Sequence, residues 1–117
     1  MHMNSTQPIL RSGQTSEIDL GVAGSMVVYR CDFETAWSFQ VAANGVQSWP
    51  ASGVCTVYFS NDGINFVGVG SAVTLSAFGI TTSVDVSSFG FVALVVTTAG
   101  SSSIIPRVTG FGKRITA

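Results

Sequence analysis

The chain is very poor in charge. Only 11 of its 117 residues are charged, five basic and six acidic, whereas about 25% of the residues in an average soluble domain carry a charge. Because nucleic-acid binding needs clustered lysine and arginine, a net charge of −1 argues against a nucleic-acid partner. No apolar run reaches the roughly 18 residues of a membrane-spanning helix, so no membrane segment is predicted.

Histidine and cysteine are almost absent, which removes most catalytic arrangements. The single histidine, His2, lies close to the N-terminus, so no Ser–His–Asp or Cys–His relay can be assembled from the sequence. Cys31 and Cys55 fall within strand-like runs. They are interpreted as two buried thiols, as one disulfide between neighbouring strands, or as a metal pair, although zinc usually takes about four Cys or His ligands. We therefore expect no enzyme, no cofactor and no metal site.

Helical patterns are missing too, since no apolar stripe with a helical period extends over about ten residues. Strand-favouring residues dominate instead, with 16 valines, 11 threonines and eight phenylalanines. The sequence predicts an all-β fold, an antiparallel β-sandwich or jelly roll of about eight strands, as a single domain over residues 17–117. The candidate strands are Glu17–Leu20, Met26–Phe33, Thr35–Ala42, Val54–Ser60, Asn65–Val69, Ala72–Ser76, Thr81–Val86, Phe91–Thr98 and Ser103–Gly110.

Residues 1–16 differ from the rest of the chain. They are rich in Ser, Thr, Gln and Gly around Pro8-Ile9-Leu10 and show no strand pattern of their own. Pro8 favours an extended conformation at Gln7, so we predict an N-terminal arm that is either disordered or held by a neighbouring subunit. Met1 to Gly13 lacks the apolar central region of a secretory signal, and export by that route is not expected.

Asp62-Gly63 is the clearest turn signal. It separates two strand-like runs, and a type I′ turn needs positive φ at both central positions, which Gly takes freely and Asp tolerates. A two-residue turn here would place Phe59 opposite Phe66 and Tyr58 opposite Val67.

Two runs predict how the sheets are buried. Trp37, Phe39 and Val41 alternate with polar residues, so their strand is expected to be half buried. Phe91–Val96 is apolar on both faces, which is typical of a strand covered on both sides. One face of this strand would meet the core, and the other would be covered either by another subunit or by a loop of the same chain.

Two pairs of acidic residues offer the only candidate acid chemistry. Asp32 and Glu34 alternate, which on one strand face would place their carboxylates roughly 6–7 Å apart. That spacing is compatible with a glycosidase pair or a calcium site. Glu17 and Asp19 repeat the arrangement. Paired acids on an exposed strand are also typical of solvated charge that discourages aggregation.

The low charge itself predicts assembly. A monomer of this composition would expose sheet edges that lysine hardly protects, and interface cores are depleted in charged residues. We therefore expect much of the surface to be covered by copies of this chain or by a larger assembly. Arg107, Lys113 and Arg114 lie in the last eleven positions, where they serve solubility or dock on an acidic partner.

The segment Ser60-Asn61-Asp62-Gly63-Ile64-Asn65-Phe66 resembles the S-x-D-G-x-x-[W/F] hairpin of β-sandwich structural proteins in tailed bacteriophages. The strand at Trp37–Val41, and Phe91–Thr98 followed by Ala99-Gly100-Ser101-Ser102, also fit that pattern. The resemblance covers about residues 36–114. Discoidin-like and carbohydrate-binding sandwiches share the turn.

The resemblance implies a non-enzymatic virion protein made in the host cytoplasm, most simply a head decoration or cement protein that forms a homotrimer. Its partners would be itself and the major capsid protein or another virion protein. The alternative is a carbohydrate-binding module or host-recognition tail appendage, in which Trp49, expected to be exposed beside Pro50, would stack on a sugar. The candidate contact residues are Pro8, Ile9, Leu10, Arg11, Val92, Leu94, Val96, Phe111, Lys113 and Arg114.

Overall fold

The computed structural model describes residues 8–68, 73–86 and 89–114. Over these ranges the chain is all-β without helix, and the predicted sandwich is confirmed as two sheets that share a core. No helix able to cross a membrane occurs among these residues. The described strands are β1 (Ile9–Leu10), β2 (Thr15–Glu17), β3 (Met26–Arg30), β4 (Ala36–Ala42), β5 (Val54–Ser60), β6 (Thr74–Leu75), β7 (Thr81–Asp85), β8 (Phe91–Thr98) and β9 (Arg107–Lys113).

The chain passes repeatedly between the two sheets. The five-stranded sheet has the order β1-β3-β8-β5-β6, and the four-stranded sheet has the order β2-β9-β4-β7. Neighbouring strands are antiparallel except β1 and β3, which are parallel. Apart from β5 and β6, each strand is followed by one in the opposite sheet. Most connections therefore cross from one layer to the other.

The core between the sheets is built from large side chains that face glycines. Trp37, Phe39 and Val41 are buried along β4, which confirms the predicted alternation. The Tyr29 ring centroid lies 5.3 Å from that of Trp37. On β9 the inward positions include Gly110 and Gly112, where a Cβ atom would approach the Tyr29 ring to 2.7 Å and the Trp37 ring to 2.5 Å. The glycines therefore provide the space that these two rings fill.

The prediction that β8 is covered on both faces is confirmed, and the described cover comes from the same chain. Val92, Leu94 and Val96 face the core between the sheets. Ala93 and Val95 face the other side, where they form a second buried cluster with Met26, Val28 and Phe66. Phe66, from the β5–β6 connection, is fully buried there. Of the two alternatives, another subunit or a loop of the same chain, the structure shows the loop.

The N-terminal segment differs from its prediction over the residues that the structure describes. Ile9 and Leu10 pair with β3, and Thr15–Glu17 pairs with β9. The segment therefore contributes a strand to each sheet of its own chain instead of extending away as an arm. Backbone pairing with β3 and β9 holds the segment, although its own sequence shows no strand pattern. Residues 1–7 lie outside the described ranges.

The turn at Asp62-Gly63 forms, but its predicted register is wrong. Only Gly63 of the pair has positive φ, and Phe59 bridges to Val67 rather than to Phe66. The Asp62 carboxylate accepts hydrogen bonds from the backbone N–H groups of Ile64 and Asn65, at 2.8 and 2.9 Å. These bonds favour a wider, side-chain-capped loop over a two-residue type I′ turn. The predicted strand Asn65–Val69 is reduced to bridging positions over its described residues.

The last strand is shifted towards the C-terminus relative to its prediction. It runs over Arg107–Lys113 instead of Ser103–Gly110. Ile104 and Pro106 still accept hydrogen bonds from Leu20 and Ile18, at 2.9 and 3.4 Å. Because Pro106 has no N–H to donate, a regular ladder begins only after it.

Candidate docking surface

The connection between β3 and β4 is a strained turn. Asp32 and Phe33 have φ values of 46° and 72°, and the Glu34 N–H donates to the Cys31 carbonyl at 2.7 Å. Positive φ is unusual for a bulky residue such as phenylalanine and costs on the order of 1–3 kcal/mol. β3 ends at Arg30, so the predicted strand over Met26–Phe33 is too long at its C-terminal end.

This turn separates the two acidic residues that were considered as a pair. Asp32 forms an ion pair with Arg11, at 3.3 Å between the Nη1 and Oδ2 atoms. One carboxylate oxygen of Glu34 is buried without a hydrogen-bond partner in the part of the chain that the structure describes. The alternation on one strand face, on which the acid pair depended, is therefore wrong. No cluster of three or more His, Cys, Asp or Glu suited to a metal occurs among the described residues.

Phe33 is the prominent feature of the turn. Its side chain is 82% exposed, and the guanidinium carbon of Arg114 lies 5.7 Å from the ring centroid. This is the arrangement of a cation–π contact, worth about 0.5–1 kcal/mol at an exposed site. The contact brings two exposed side chains, Phe33 and Arg114, together on one surface.

Hydrogen bonds hold the N-terminal segment and the end of β9 beside this turn. The Ser12 hydroxyl accepts from the Gly112 N–H at 2.8 Å and lies 3.2 Å from the Gly112 carbonyl. The Thr35 N–H donates to the Lys113 carbonyl at 3.0 Å. The N-terminal segment, the Phe33 turn and the end of β9 therefore form one continuous surface. We call it the Phe33 surface and define it as Arg11, Asp32, Phe33, Lys113 and Arg114.

Basic residues are concentrated at this end of the sandwich. Arg11, Lys113 and Arg114 belong to the Phe33 surface, and Arg30 ends β3 directly before the turn. A pocket of about 220 Å³, lined by Ile9, Leu10, Arg11 and Arg30, lies beside it. The fifth basic residue, Arg107, begins β9 and by strand rise lies roughly 20 Å away. The surface thus combines an exposed phenylalanine with arginine, and both residue types are enriched in protein–protein interfaces.

The predicted contact residues divide into two groups. Pro8, Ile9, Arg11, Phe111, Lys113 and Arg114 are exposed, and Leu10 is half buried. Phe111, 57% exposed, lies on the outer face of the four-stranded sheet, two residues before Lys113. Val92, Leu94 and Val96 are fully buried in the core of this chain. These three therefore have no surface to offer a partner.

Trp49 differs from its prediction because it is half buried. Its indole N–H donates to the Gly53 carbonyl at 2.7 Å, and its ring packs edge-on against Phe78 with centroids 5.1 Å apart. The indole N–H is thus used within the β4–β5 loop, and the ring packs against the β6–β7 connection. A platform for stacking on a sugar needs an open ring face, whereas the Trp49 ring is half buried.

The Asp62 loop borders a second pocket of about 230 Å³, whose lining includes Asn61, Asp62 and Asn65. Hydrogen bonds from the backbone N–H groups of Asn65 and Ile64, and then from the side chains of Asn65 and Ser60, hold the pKa of Asp62 well below its usual range. All of these bonds lie within the loop. The carboxylate is therefore committed to shaping the turn.

Both cysteines are free and buried, which agrees with the interpretation as two thiols. Burial raises the pKa of the Cys55 thiol to about 12. The Cys31 pKa is also raised to about 12, by burial and then by the charges of Glu34 and Asp32. Neither thiol is activated as a nucleophile, because an activated cysteine has a lowered pKa.

The sequence analysis missed Phe33, which it placed at the end of a strand. The residue has no signal of its own, because its exposure follows from the path of the chain between the two sheets. The charged residues on either side, Asp32 and Glu34, were a hint of a turn. They were instead interpreted as alternating strand positions.

No family model matches this chain, and no curated protein matches it. Among solved structures, the SPBc2 prophage-derived protein YomS aligns with a TM-score of 0.48 and 7% identity, over 83% of this chain and 93% of that one. A structure of Bacillus endospore appendages, described as a novel family of disulfide-linked pili, aligns with a TM-score of 0.36 and 16% identity, over 86% of each chain. At these values neither likeness carries a functional argument.

Proposed function

We propose that this protein is a non-enzymatic structural protein of a virion that decorates or cements an assembled capsid. The observation that carries the proposal is Phe33, an aromatic side chain that is 82% exposed on a turn of positive φ. Backbone strain of this kind persists only where the surrounding structure imposes it, and it is often found at ligand clamps and binding sites. An exposed aromatic held in this way is suited to enter a pocket of another protein.

The composition of the chain favours binding to other proteins over catalysis. With 11 charged residues in 117, the chain resembles an interface core more than an ordinary soluble surface. Large exposed apolar side chains, among them Val22, Val46, Ile64 and Phe111, are spread over the molecule. A protein with this surface gains stability when other protein covers it.

The mechanism of a cement protein would be mass action. A protein that binds the assembled shell but not its separated subunits stabilises the shell by about 2.7 kcal/mol per site at a concentration one hundred times its Kd. The Phe33 surface would make the contact, with Arg11, Lys113 and Arg114 directed at acidic groups around an apolar pocket. The homotrimer implied by the phage resemblance stays a prediction.

The experiment uses particles of the phage or prophage that carries this gene, prepared with the gene deleted. Purified protein is added back, and the temperature at which the particles release their DNA is measured. The proposal predicts that added protein sediments with the particles and raises this temperature. Unchanged stability together with protein that stays in the supernatant at micromolar concentration would contradict it.

A further inference from the structure

The strand β7 leaves the longest open edge in either sheet of the described structure. It pairs with β4 on one side and has no strand on its other side among the described residues. The remaining edge strands are shorter, with two residues each in β1 and β6 and three in β2. Short edge strands are one way in which sheet proteins avoid unwanted pairing, and β7, with five residues, is not protected in that way.

The register shows which backbone groups of β7 point outward. The Val86 N–H donates to the Thr35 carbonyl at 2.8 Å, in continuity with the pairing of Trp37 with Val84. Because hydrogen-bonded pairs alternate along antiparallel strands, Val84 and Thr82 direct their backbone groups at β4. The N–H and C=O groups of Thr81 and Ser83 therefore point to the open edge.

The side chains along this edge do not block another strand. Thr81 and Ser83 are exposed on the outer face of the sheet, whereas Thr82 is buried. The strand contains neither lysine nor proline, and its one charge is Asp85 at its end. Lysine, proline and bulges are the usual means of keeping an edge strand unpaired, so pairing through β7 meets no such obstacle.

We propose that β7 pairs antiparallel with β7 of a second copy of this chain, about a two-fold axis at Ser83, to form a continuous eight-stranded sheet. A strand paired with itself in this way is self-complementary, since the outward N–H and C=O of Ser83 meet the C=O and N–H of the same residue in the second copy. Any other strand would have to match this edge by chance.

The charges favour the same arrangement. With the axis at Ser83, Asp85 of one copy lies opposite Thr81 of the other. The two carboxylates are then separated along the strands by four residues, roughly 13 Å, so like charges do not meet. Ser38 on β4, which pairs with Ser83 and with Phe111, continues a row of small side chains across the junction.

This inference goes beyond the proposed function, because it names a surface through which the chain associates with itself. Two-fold pairing produces assemblies with an even number of copies, in contrast to the trimer implied by the phage resemblance. One end of the β7 edge lies close to the Phe33 surface, since the Val86 N–H donates to the Thr35 carbonyl, but Ser83 pairs with Ser38, further along β4. Substitutions at Ser83 and at Phe33 therefore test self-association and particle binding separately.

The experiment measures the mass of the full chain by size-exclusion chromatography with light scattering at micromolar concentration. The wild type is expected at twice the monomer mass of 12.2 kDa. Ser83→Lys places two positive charges directly opposite each other and should weaken the dimer at least about tenfold. Gln40→Lys is the matched control, since it adds the same charge on the same face but one strand away from the edge, and it should leave the dimer intact.

Ser83→Pro provides a second test, because it removes an outward N–H while the bonds to β4 remain. It should also yield monomers, with a melting temperature close to that of the monomeric Ser83→Lys variant. A wild-type monomer, a wild-type trimer, or a dimer that survives Ser83→Lys would each overturn the proposal. If the wild-type protein forms the dimer but does not bind particles, the proposed function is contradicted and the β7 pairing still stands.

Discussion

The hydroxyl of Tyr29 accepts a hydrogen bond from the Gly110 N–H at 2.9 Å and donates one to the Gln14 carbonyl at 2.7 Å. Tyr29 belongs to β3 of one sheet, whereas Gly110 belongs to β9 of the other. One side chain thus joins both sheets and the N-terminal segment. Because β9 and this segment carry Lys113 and Arg11, the same contact positions part of the Phe33 surface.

Tyr29→Phe tests this contact. The substitution keeps the ring in the core but leaves the buried Gly110 N–H without its partner, which costs about 1–3 kcal/mol of unfolding free energy. Chemical denaturation measures the change. Tyr58→Phe is the control, since Tyr58 is half buried on the outer side of β5. This variant should change the unfolding free energy by no more than about 0.5 kcal/mol. Equal effects of the two variants would show that the Tyr29 hydroxyl does not hold the sheets together.

Phe66→Ala tests whether the β5–β6 loop is the cover of the second apolar cluster. Removing a fully buried phenylalanine that packs with Ala93 and Val95 should cost about 3–5 kcal/mol of unfolding free energy. The neighbouring Val67 is exposed, so Val67→Ala should change the unfolding free energy by no more than about 0.5 kcal/mol. A small effect of Phe66→Ala would mean that something other than this loop covers the outer face of β8.

The buried thiols predict a loss of stability at alkaline pH. Burial raises the pKa of Cys31 and Cys55 from 9.0 to about 12, so the folded state holds these protons more tightly than the unfolded state does. The stabilisation is complete below pH 9.0 and is lost as the pH rises towards 12. Burial also raises the pKa of Tyr29, which acts in the same direction.

Denaturation of the wild type and of a Cys31→Ala/Cys55→Ala double variant at several pH values between 9.0 and 12 measures this effect. The wild type should lose stability more steeply with pH than the double variant. The same slope in both proteins would show that the thiols do not contribute.

The sequence predicts best where burial follows from a local pattern. Trp37, Phe39 and Val41 point inward as their alternation indicates, and β8 is covered on both faces. The position of the turn at Asp62-Gly63 was also predictable, but its register was not, because the Asp62 side chain captures two backbone N–H groups. The cover that Phe66 provides depends on that register.

The candidate site was only half predictable. Arg11, Lys113 and Arg114 were expected to make contacts, and the structure brings them together. Phe33, which lies between them, was missed because its left-handed conformation is imposed by the crossing from one sheet to the other. The only local hint was Asp32, a residue type that tolerates positive φ.

Phe33→Asn tests whether the turn holds this residue under strain. Asparagine tolerates positive φ better than phenylalanine does, and the ring makes few buried contacts at 82% exposure. The variant should therefore be as stable as the wild type or more stable by up to about 1 kcal/mol. A clear loss of unfolding free energy would mean that the ring stabilises the free protein, and the strain would then need no partner to explain it.

The most direct test of the account is the affinity of this variant for particles that lack the protein. Phe33→Asn should raise the Kd at least about tenfold, since an aromatic anchor at a contact is worth about 2 kcal/mol or more. Val46→Asn removes another highly exposed apolar side chain, from the β4–β5 loop at the other end of β4, and should leave the Kd unchanged. If Phe33→Asn binds as tightly as the wild type, the Phe33 surface is not where this protein docks.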